Sequence, residues 1–328
     1  MDKEGKIIFE RVVISVNLCT YNRAEMLKNL LTSLINQETK GEFAFEIVVI
    51  DDGSTDSTQE LLQKVSMNSE VMIRFFREER VGVAAARNRG VLESHGDWIA
   101  FIDDDETAEP DWLLELVTAA RASGADCIGG SLELALEEKA REIAKSARKH
   151  LGEIPPLGWF QKRFTYSGPG TGNALVRRVL FDTVGLFDTN LRVVGEDQDF
   201  FRRARKLGYK TVFTSNALVH HFIPAYRVQP SYLLALAGQN GKSLAYFDCR
   251  EWGCLKSFLI FVLRLGHVLL KMGLVAMKYT FKHDKNSVFD LKCTINTTIG
   301  YFKELSSQIL ARPFPGERYF KNTRYSIR

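Results

Sequence analysis

The sequence predicts an α/β protein, with a mixed, mostly parallel sheet flanked by helices and a helical, amphipathic region towards its C-terminal end. Between residues 12 and 121, short apolar segments rich in β-branched residues alternate with segments of helical periodicity. Acidic clusters directly follow two of the apolar segments. The charge balance then reverses, because residues 1–230 carry 29 Lys and Arg against 34 Asp and Glu, whereas residues 231–328 carry 15 against 6. We therefore expect one domain over residues 10–230 and a separate basic, helical region over residues 231–328.

Strands and helices alternate in the first part of the chain. The predicted strands are Val12–Leu18, Phe45–Ile50, Met72–Phe76 and Trp98–Ile102. The predicted helices are Ala24–Gln37, a helix through Leu61 and Leu62 with Asp56 as its N-cap, Ala84–Leu92, and a helix from Pro110 to about Arg121. This alternation implies right-handed crossovers and a parallel sheet covered on both faces. In such sheets ligands bind beyond the carboxyl ends of the strands.

The second part of the predicted domain is less regular. We expect a charged helix over Glu137–Leu151, a Gly- and Pro-rich loop over Gly152–Gly172, an extended segment over Asn173–Val176, a helix from Glu196 to about Gly208, and short extended segments over Lys210–Phe213 and Ala217–His221. Pro224 and Pro230 mark the end of this domain.

Composition excludes several classes of protein. Apolar residues make up 45% and charged residues 26%, as in soluble globular proteins. The five cysteines are scattered without a CxxC pair, which argues against a disulfide framework or a structural zinc site and favours a reducing compartment. The N-terminal ten residues lack the apolar core of a signal peptide, and no run of about 18 uncharged apolar residues indicates an ordinary membrane span. The acidic first domain argues against a nucleic-acid partner.

The chemistry-bearing residues lie at strand ends. Asp103, Asp104 and Asp105 follow the strand that ends at Ile102, and Asp51 and Asp52 end another on the same predicted rim. Adjacent carboxylates repel one another unless a cation or a hydrogen-bond network compensates them. Mg²⁺ and Mn²⁺ bind one or two carboxylates together with phosphate oxygens. The alternative interpretation is a solvated acidic turn.

Five motifs occur in the order found in a known family: SVNLCTYN (Ser15–Asn22), VIDDGSTDS (Val49–Ser57), GVAAARNRG (Gly82–Gly90), FIDDDETAEPDWL (Phe101–Leu113) and GEDQDF (Gly195–Phe200). In these motifs the sequence resembles glycosyltransferase family 2 over about residues 10–230. Members of that family have the GT-A fold and transfer sugars from nucleotide-sugar donors with inversion.

The resemblance implies a donor site at the predicted rim. Cys19, Tyr21 and Asp52 would line a nucleobase pocket, and Gly82 and Arg87 would lie near the donor. The alternatives are a strand-end aromatic for Tyr21, a turn-capping carboxylate for Asp52 and a structural ion pair for Arg87.

The resemblance also implies a cofactor, Mn²⁺ or Mg²⁺, held by Asp105 against the diphosphate while Asp104 contacts the ribose. Asp103 has equally suitable ligand chemistry, so the division among the three carboxylates stays open. His221 would lie near the diphosphate or the metal, with a purely structural role as the alternative.

By the same resemblance, Gly195-Glu196-Asp197 forms the acceptor side. Asp197 would be the general base that takes the proton of the acceptor hydroxyl, and the helix N-terminus would help to keep it ionised. Glu196 would contact the acceptor or position the loop; the alternative is that both residues only cap the helix. Gly172 and Asn173 would shape the sugar or acceptor pocket, unless Gly172 only permits a turn.

The basic region is concentrated in one predicted helix. Residues 252–283 contain five Lys and Arg residues and no Asp or Glu, and Arg264, Lys271 and Lys278 recur every seven residues. A narrow basic stripe beside a broad apolar face predicts a helix lying on an anionic membrane surface. The alternative is a helix packed on the catalytic domain with its stripe in water. Residues 300–310 form a second, short amphipathic segment.

These observations together predict an inverting, metal-dependent glycosyltransferase at the cytoplasmic face of the plasma membrane. It would move a sugar from a nucleotide-diphosphate sugar to a glycan or lipid-linked acceptor, in bacterial cell-surface polysaccharide or glycolipid synthesis. The alternative of another class is a non-catalytic nucleotide-sugar or glycan-binding scaffold. A dinucleotide oxidoreductase is disfavoured because no GxGxxG follows the first strand, and a nucleotidylyltransferase because the Gly- and Lys-rich opening loop is absent.

Overall fold

A mixed eight-stranded sheet is the centre of the fold in the computed structural model, which describes residues 12–136, 143, 145–154, 168–189, 191, 195–282 and 285–310. The strands are β1 (Val12–Thr20), β2 (Ala44–Asp51), β3 (Met72–Arg77), β4 (Trp98–Phe101), β5 (Glu106–Ala108), β6 (Cys127–Leu136), β7 (Ala174–Arg177) and β8 (Thr211–Ile223). Their order across the sheet is β3-β2-β1-β4-β7-β6-β8-β5. The predicted α/β class with a mixed sheet is confirmed.

Strand pairing explains where the carboxyl ends meet. The neighbours β3, β2, β1 and β4 are parallel, with Thr20 opposite Asp51 and Asn17 opposite Phe101. By contrast, β7 is antiparallel to β4 and β6, and β5 is antiparallel to β8. The four strands predicted in the first part of the chain are confirmed. The two extended segments predicted over residues 210–221 are one strand, β8, because Thr214–Asn216 continue the extended backbone.

Helices cover the sheet on both faces. They are α1 (Ala24–Ile35), α2 (Thr58–Asn68), α3 (Val83–Glu93), α4 (Trp112–Ser123), α6 (Leu180–Thr183) and α7 (Glu196–Lys206). Between β6 and β7 the chain also forms the short helix α5 (Lys145–His150). The buried faces of α1 and α4 belong to one apolar cluster, whereas α3, α6 and α7 belong to another. Only α5 represents the predicted charged helix, because residues 137–142 and 144 lie outside the described residues, as does most of the predicted Gly- and Pro-rich loop (155–167).

One carboxylate organises the starts of two helices. Asp56 Oδ1 accepts hydrogen bonds from the backbone N–H of Thr58 (3.1 Å) and from its hydroxyl (2.6 Å), while Oδ2 accepts one from the N–H of Ala24 (3.1 Å). Burial alone would raise the pKa of Asp56, but these hydrogen bonds lower it. The N-cap residue of α2 is Ser57, so the predicted N-cap is one residue too early. The Asp56 carboxylate nevertheless binds the first turn of α2 and ties its start to the start of α1.

The chain divides into two compact units. One comprises residues up to 133 and residues 154–221, and the other comprises residues 134–153 and residues from 222 onwards. The domains predicted over residues 10–230 and 231–328 remain predictions; the compact units differ from them chiefly in where residues 134–153 belong.

Two long helices dominate the second unit. Helix α8 (Pro230–Lys282) is interrupted at Gly253, whose φ of 79° is not helical, and α9 (Lys285–Ile309) follows it. The two helices approach until their backbones touch. A Cβ added at Gly241 would lie 2.0 Å from the carbonyl oxygen of Thr297, and one at Gly300 would lie 2.0 Å from that of Gly238. Any larger residue at Gly241 or Gly300 would force the helices apart.

The second half of α8 packs on α9 through a narrow seam. The least exposed side chains between residues 254 and 278 recur mainly at alternating intervals of three and four, as in a heptad repeat: Cys254, Ser257, Ile260, Phe261, Arg264, Val268, Lys271 and Val275. Arg264 lies over the ring of Tyr301 (4.8 Å to the centroid), and Lys271 Nζ donates to Thr294 Oγ1 (2.8 Å). The prediction that Arg264 and Lys271 present an outward basic stripe is therefore wrong, since their seven-residue spacing is that of the seam.

Helix α8 is also long and apolar enough to cross a membrane. Among the described residues it is the one helix that meets this criterion, over Pro230–Lys278, with an 18-residue window of mean hydropathy 1.9 of which 11% is buried. The sequence did not predict this window because the expected sign of a span was a run without charges, whereas an apolar window may include up to two charged residues.

Candidate active site

Antiparallel pairing of β5 with β8 brings a histidine to the acidic triplet. Glu106 lies opposite His221 in this pair, so His221 is adjacent to Asp105. The distance from His221 Nε2 to Asp105 Oδ1 is 3.5 Å, and the two side chains are 15% and 9% exposed. His220 points elsewhere and contacts Glu109 Oε1 at 2.6 Å. The sequence order predicted neither contact, because the partners are more than 100 residues apart.

An arginine contacts two of the three carboxylates of the triplet, those of Asp104 and Asp105. Arg23, which precedes α1, donates from Nη1 to Asp104 Oδ1 (2.6 Å) and to Asp105 Oδ2 (3.0 Å). Burial raises the pKa of Asp104 to about 6, an effect that Arg23 only partly offsets. The fold therefore places a positive charge against the same carboxylates for which the sequence predicts ribose and metal contacts.

Arg87 joins the acidic triplet to the Glu-Asp motif. Its Nη2 donates to Asp103 Oδ1 at 2.8 Å, and its Nη1 donates to Glu196 Oε1. Arg87 is 7% exposed, and although burial alone would lower its pKa, the carboxylates of Asp103 and Glu196 raise it. The ion pair proposed as the alternative role of Arg87 thus exists, and it connects the two predicted halves of the site.

The predicted metal ligands are grouped only in part. Asp103 is paired with Arg87, and among the described residues no three His, Cys, Asp or Glu side chains are grouped to hold a metal ion. Of the residues predicted near the metal, Asp105 and His221 lie as a close pair of oxygen and nitrogen donors. The division of the metal and ribose contacts among the three carboxylates stays a prediction.

The Glu-Asp motif begins helix α7. Gly195 has a φ of 101°, which glycine adopts without strain, and the helix starts at Glu196. Asp197 Oδ1 accepts a hydrogen bond from the N–H of Gln198 (2.7 Å). Burial nevertheless raises the pKa of Asp197, and burial together with the charge of Asp197 raises that of Glu196. The expected stabilisation of the anion by the helix N-terminus is outweighed by burial.

The predicted nucleobase residues lie together around one loop. Asp52 is 4% exposed and accepts hydrogen bonds from Val81 N–H (2.7 Å), Gly82 N–H (3.1 Å) and Arg80 Nη1 (3.0 Å). The Arg80 guanidinium also lies 3.4 Å from the centre of the Tyr21 ring. A base stacking on that face of Tyr21 requires Arg80 to move. Cys19 is on the adjoining strand end, and burial raises the pKa of its thiol.

Hydrogen bonds hold the Asn173 side chain inside the core. It accepts a hydrogen bond from Trp112 Nε1 (2.9 Å) and donates to the carbonyl oxygens of Ser131 (2.8 Å) and Ala217 (2.9 Å). These contacts give Asn173 a structural role, and its contact with sugar or acceptor stays a prediction. Gly172 has a packing role, because a Cβ there would lie 2.5 Å from Glu106 Oε1.

Three residues that shape this region were not among the predicted site residues. Arg23 directly follows the motif that ends at Asn22, Arg80 lies two residues before Gly82, and Glu106 is the fourth acid after Ile102. Glu106 is 3% exposed and accepts a hydrogen bond from the N–H of Asp103 (2.8 Å). Burial, together with the charges of Asp103 and Asp105, raises its pKa well above the ordinary value. The sequence did offer a signal for such arginines, because several acids at one strand end need nearby cations to compensate their charge.

Comparison with known proteins identifies the family. The model of "Glycosyl transferase family 2" matches residues 15–185, which is just over half of the 328 residues. The chain belongs to glycosyl transferase family 2. It is therefore an enzyme that transfers glycosyl groups, and the resemblance given by the five motifs is confirmed.

This family 2 enzyme is similar to several proteins of known name. Succinoglycan biosynthesis protein ExoM of Rhizobium meliloti is 28% identical over 71% of the chain and 74% of its own length. Glycosyltransferase AglE of Haloferax volcanii is 27% identical over 63% of the chain and 66% of its own length. The mannosyltransferase PcManGT of Pyrobaculum calidifontis, solved with GDP-Man and Mn²⁺, has a TM-score of 0.58 at 16% identity, covering 90% and 88% of the two chains. The last likeness supports the GT-A fold alone.

The Arg87 bridge makes a prediction about stability. Replacing Arg87 by Met removes the cation between two carboxylates, of which Glu196 is almost fully buried. We expect the free energy of unfolding, measured by denaturant titration, to fall by about 3–5 kcal/mol. The matched control is Arg89→Met on the same helix, because Arg89 is 45% exposed and pairs with Glu93 at the surface. That change is expected to cost less than about 1 kcal/mol. Equal losses in the two variants would contradict the bridge.

Proposed function

We propose that this enzyme is an inverting, divalent-metal-dependent glycosyltransferase that moves a sugar from a nucleotide-diphosphate sugar to a glycan or lipid-linked acceptor. The proposal includes a role in the synthesis of a cell-surface polysaccharide or glycolipid on the cytoplasmic side of the membrane. The name of ExoM as a biosynthesis protein of succinoglycan supports the polysaccharide part.

One observation carries the proposal. The guanidinium of Arg87 contacts Asp103 of the acidic triplet and Glu196, the neighbour of Asp197. Two carboxylate clusters from distant parts of the chain are therefore within the reach of one side chain. A donor diphosphate at the first cluster and an acceptor hydroxyl at the second would be close enough to react.

The residues at the first cluster fit a divalent cation that shares its ligands with a diphosphate. Asp105 Oδ1 and His221 Nε2 are 3.5 Å apart and face each other, and carboxylate oxygen with imidazole nitrogen suits Mn²⁺. Two protein ligands are sufficient where phosphate oxygens supply others. When bound there, the cation would neutralise charge that develops on the leaving diphosphate.

The second cluster would supply the base. Asp197 takes the proton from the acceptor hydroxyl while the hydroxyl oxygen attacks the anomeric carbon of the donor sugar. The bond between that carbon and the diphosphate breaks, and the nucleoside diphosphate leaves from the opposite face. Attack opposite the leaving group inverts the anomeric centre. Arg87 would hold Glu196 beside the acceptor, and its positive charge favours the ionised form of Asp197.

The donor site can be tested without knowing the acceptor. We expect thermal denaturation of the full chain to shift upwards with one of UDP, GDP or dTDP in the presence of Mn²⁺, and much less without it. CMP is the control because it has no diphosphate. Ligand at about a hundred times its Kd stabilises a protein by about 2.7 kcal/mol, which is several degrees for a chain of this size. No shift with any nucleotide would contradict the proposal.

A further inference from the structure

The outer face of the second half of α8 is apolar and solvent-exposed. Between residues 254 and 278 this half of α8 carries eleven large hydrophobic side chains that are each 44–78% exposed: Leu255, Phe258, Leu259, Val262, Leu263, Leu265, Leu269, Leu270, Met272, Leu274 and Met277. We call these eleven residues the outer face. Soluble proteins rarely expose so continuous an apolar surface unless it binds something.

The charges in the second half of α8 lie in the seam or near the two ends of the outer face. Arg264 and Lys271 are in the seam, where they contact Tyr301 and Thr294 of α9. The only exposed Lys or Arg side chains between residues 254 and 278 are Lys256 and Lys278, close to its two ends. The middle of the outer face is therefore uncharged, and cations remain where the apolar surface stops.

Helix α9 differs from the outer face because it carries charges along its length. Its exposed side chains include Lys285, Lys292 and Lys303 together with the apolar Ile299, Phe302 and Ile309, and its sequence also contains Asp290 and Glu304. These charges make α9 unsuited to the hydrocarbon of a bilayer. The two helices thus differ, since exposed lysines interrupt the surface of α9 whereas the middle of the outer face of α8 has no Lys or Arg.

We propose that the outer face docks onto a lipid bilayer, with α8 lying in the plane of the interface and α9 on its water side. An uncharged apolar face matches acyl chains, and cations at its ends match phosphate headgroups. Binding is driven by burial of the apolar side chains, so it does not require anionic lipid. This differs from the attraction of a basic stripe to an anionic surface that the sequence predicted. The proposal is independent of the glycosyl-transfer mechanism.

The test is flotation of the full chain with preformed vesicles of phosphatidylcholine, which has no net charge, and with vesicles that also contain phosphatidylglycerol. We expect binding to both, retained at 1 M salt, where the Debye length is about 3 Å. Replacing Leu263 and Leu270, which are 73% and 65% exposed, by Glu is expected to lower binding to neutral vesicles by about tenfold or more.

Two controls separate this surface from a general effect of charge. Leu207→Glu makes the same change at a leucine that is 60% exposed outside the outer face, and Lys292→Glu reverses a charge on α9. Both are expected to bind vesicles as the natural chain does. Binding to anionic vesicles only, or loss of binding with Lys292→Glu, would overturn the proposal. So would a dimer in lipid-free buffer that Leu263→Glu converts to a monomer, because a second copy would then occupy the outer face.

Discussion

Replacing Asp197 by Asn is expected to lower kcat by about 10²–10⁴, because the amide cannot accept the proton of the acceptor hydroxyl. The substitution keeps the shape of the side chain at the start of α7, so the donor should bind unchanged. The measurement is the rate of sugar transfer at saturating donor, together with the thermal shift produced by the nucleoside diphosphate. If the transfer rate falls while the nucleoside diphosphate still raises the melting temperature by the same amount, Asp197 acts in the chemical step and not in donor binding.

The matched control lies on the same helix. Asp199 pairs with Arg203 one turn further on (2.8 Å), and both side chains are partly buried, so Asp199→Asn removes a carboxylate whose partner is an arginine of the same helix. We expect its kcat to stay within about twofold, since this pair takes no part in the proposed proton transfer. If Asp199→Asn were as damaging as Asp197→Asn, the assignment of the base would fail.

The pH dependence provides a second check on Asp197. The ionised carboxylate is the active form, and burial raises its pKa above the ordinary value of 3.8. The rate of transfer should therefore fall as pH decreases through this raised pKa, with a midpoint above 3.8. The residual activity of Asp197→Asn should not show this fall in rate at low pH. A rate that stays constant down to pH 4 would contradict the role.

Replacing Asp105 by Asn is expected to lower kcat/KM by about a hundredfold or more, because a lost metal contact removes several kcal/mol of charge stabilisation. The loss should be accompanied by weaker binding of Mn²⁺ in the presence of the nucleoside diphosphate, measured by calorimetry. The binding measurement does not depend on catalysis, so it distinguishes a ligand from a residue that acts on the acceptor.

The control for Asp105 uses the neighbouring acid–histidine pair. Glu109, one residue beyond β5, contacts His220 of β8 at 2.6 Å, and its side chain is 42% exposed, compared with 9% for Asp105. Glu109→Gln is expected to leave the binding of Mn²⁺ unchanged. If the two variants lost Mn²⁺ binding equally, the loss would come from a change in this region as a whole and not from the Asp105 carboxylate.

Local patterns were sufficient for much of the fold. Buried parallel strands are short and almost wholly apolar, and amphipathic helices repeat every 3.6 residues, so β1 to β4 and α1 to α4 were predictable. The antiparallel half of the sheet was not, because β5 and β8 pair across more than 100 residues and no local signal encodes that partner. The continuity of β8 was likewise hidden, since its middle, Thr214–Asn216, contains polar residues.

In the candidate site, too, local motifs could be predicted from the sequence, whereas contacts between distant segments could not. The acids at the ends of strands could be recognised one motif at a time, whereas the contact of Arg87 with both Asp103 and Glu196 depends on three distant segments. The contacts of Asn173 could not be predicted either, because its three hydrogen bonds join segments that are distant in the chain and lie inside the core.

By itself, the sequence determined the fold class, the family and the residue types available for chemistry, because these follow from periodicity and from motifs that are local in the chain. Only the tertiary structure decided which charges face one another. The reversal of net charge after residue 230 is visible in the composition, but composition does not show in which direction the charged side chains point. Packing of α8 on α9 turns Arg264 and Lys271 inwards and leaves an uncharged face outside. The orientation of a helix depends on its partner, and the partner is found only in three dimensions.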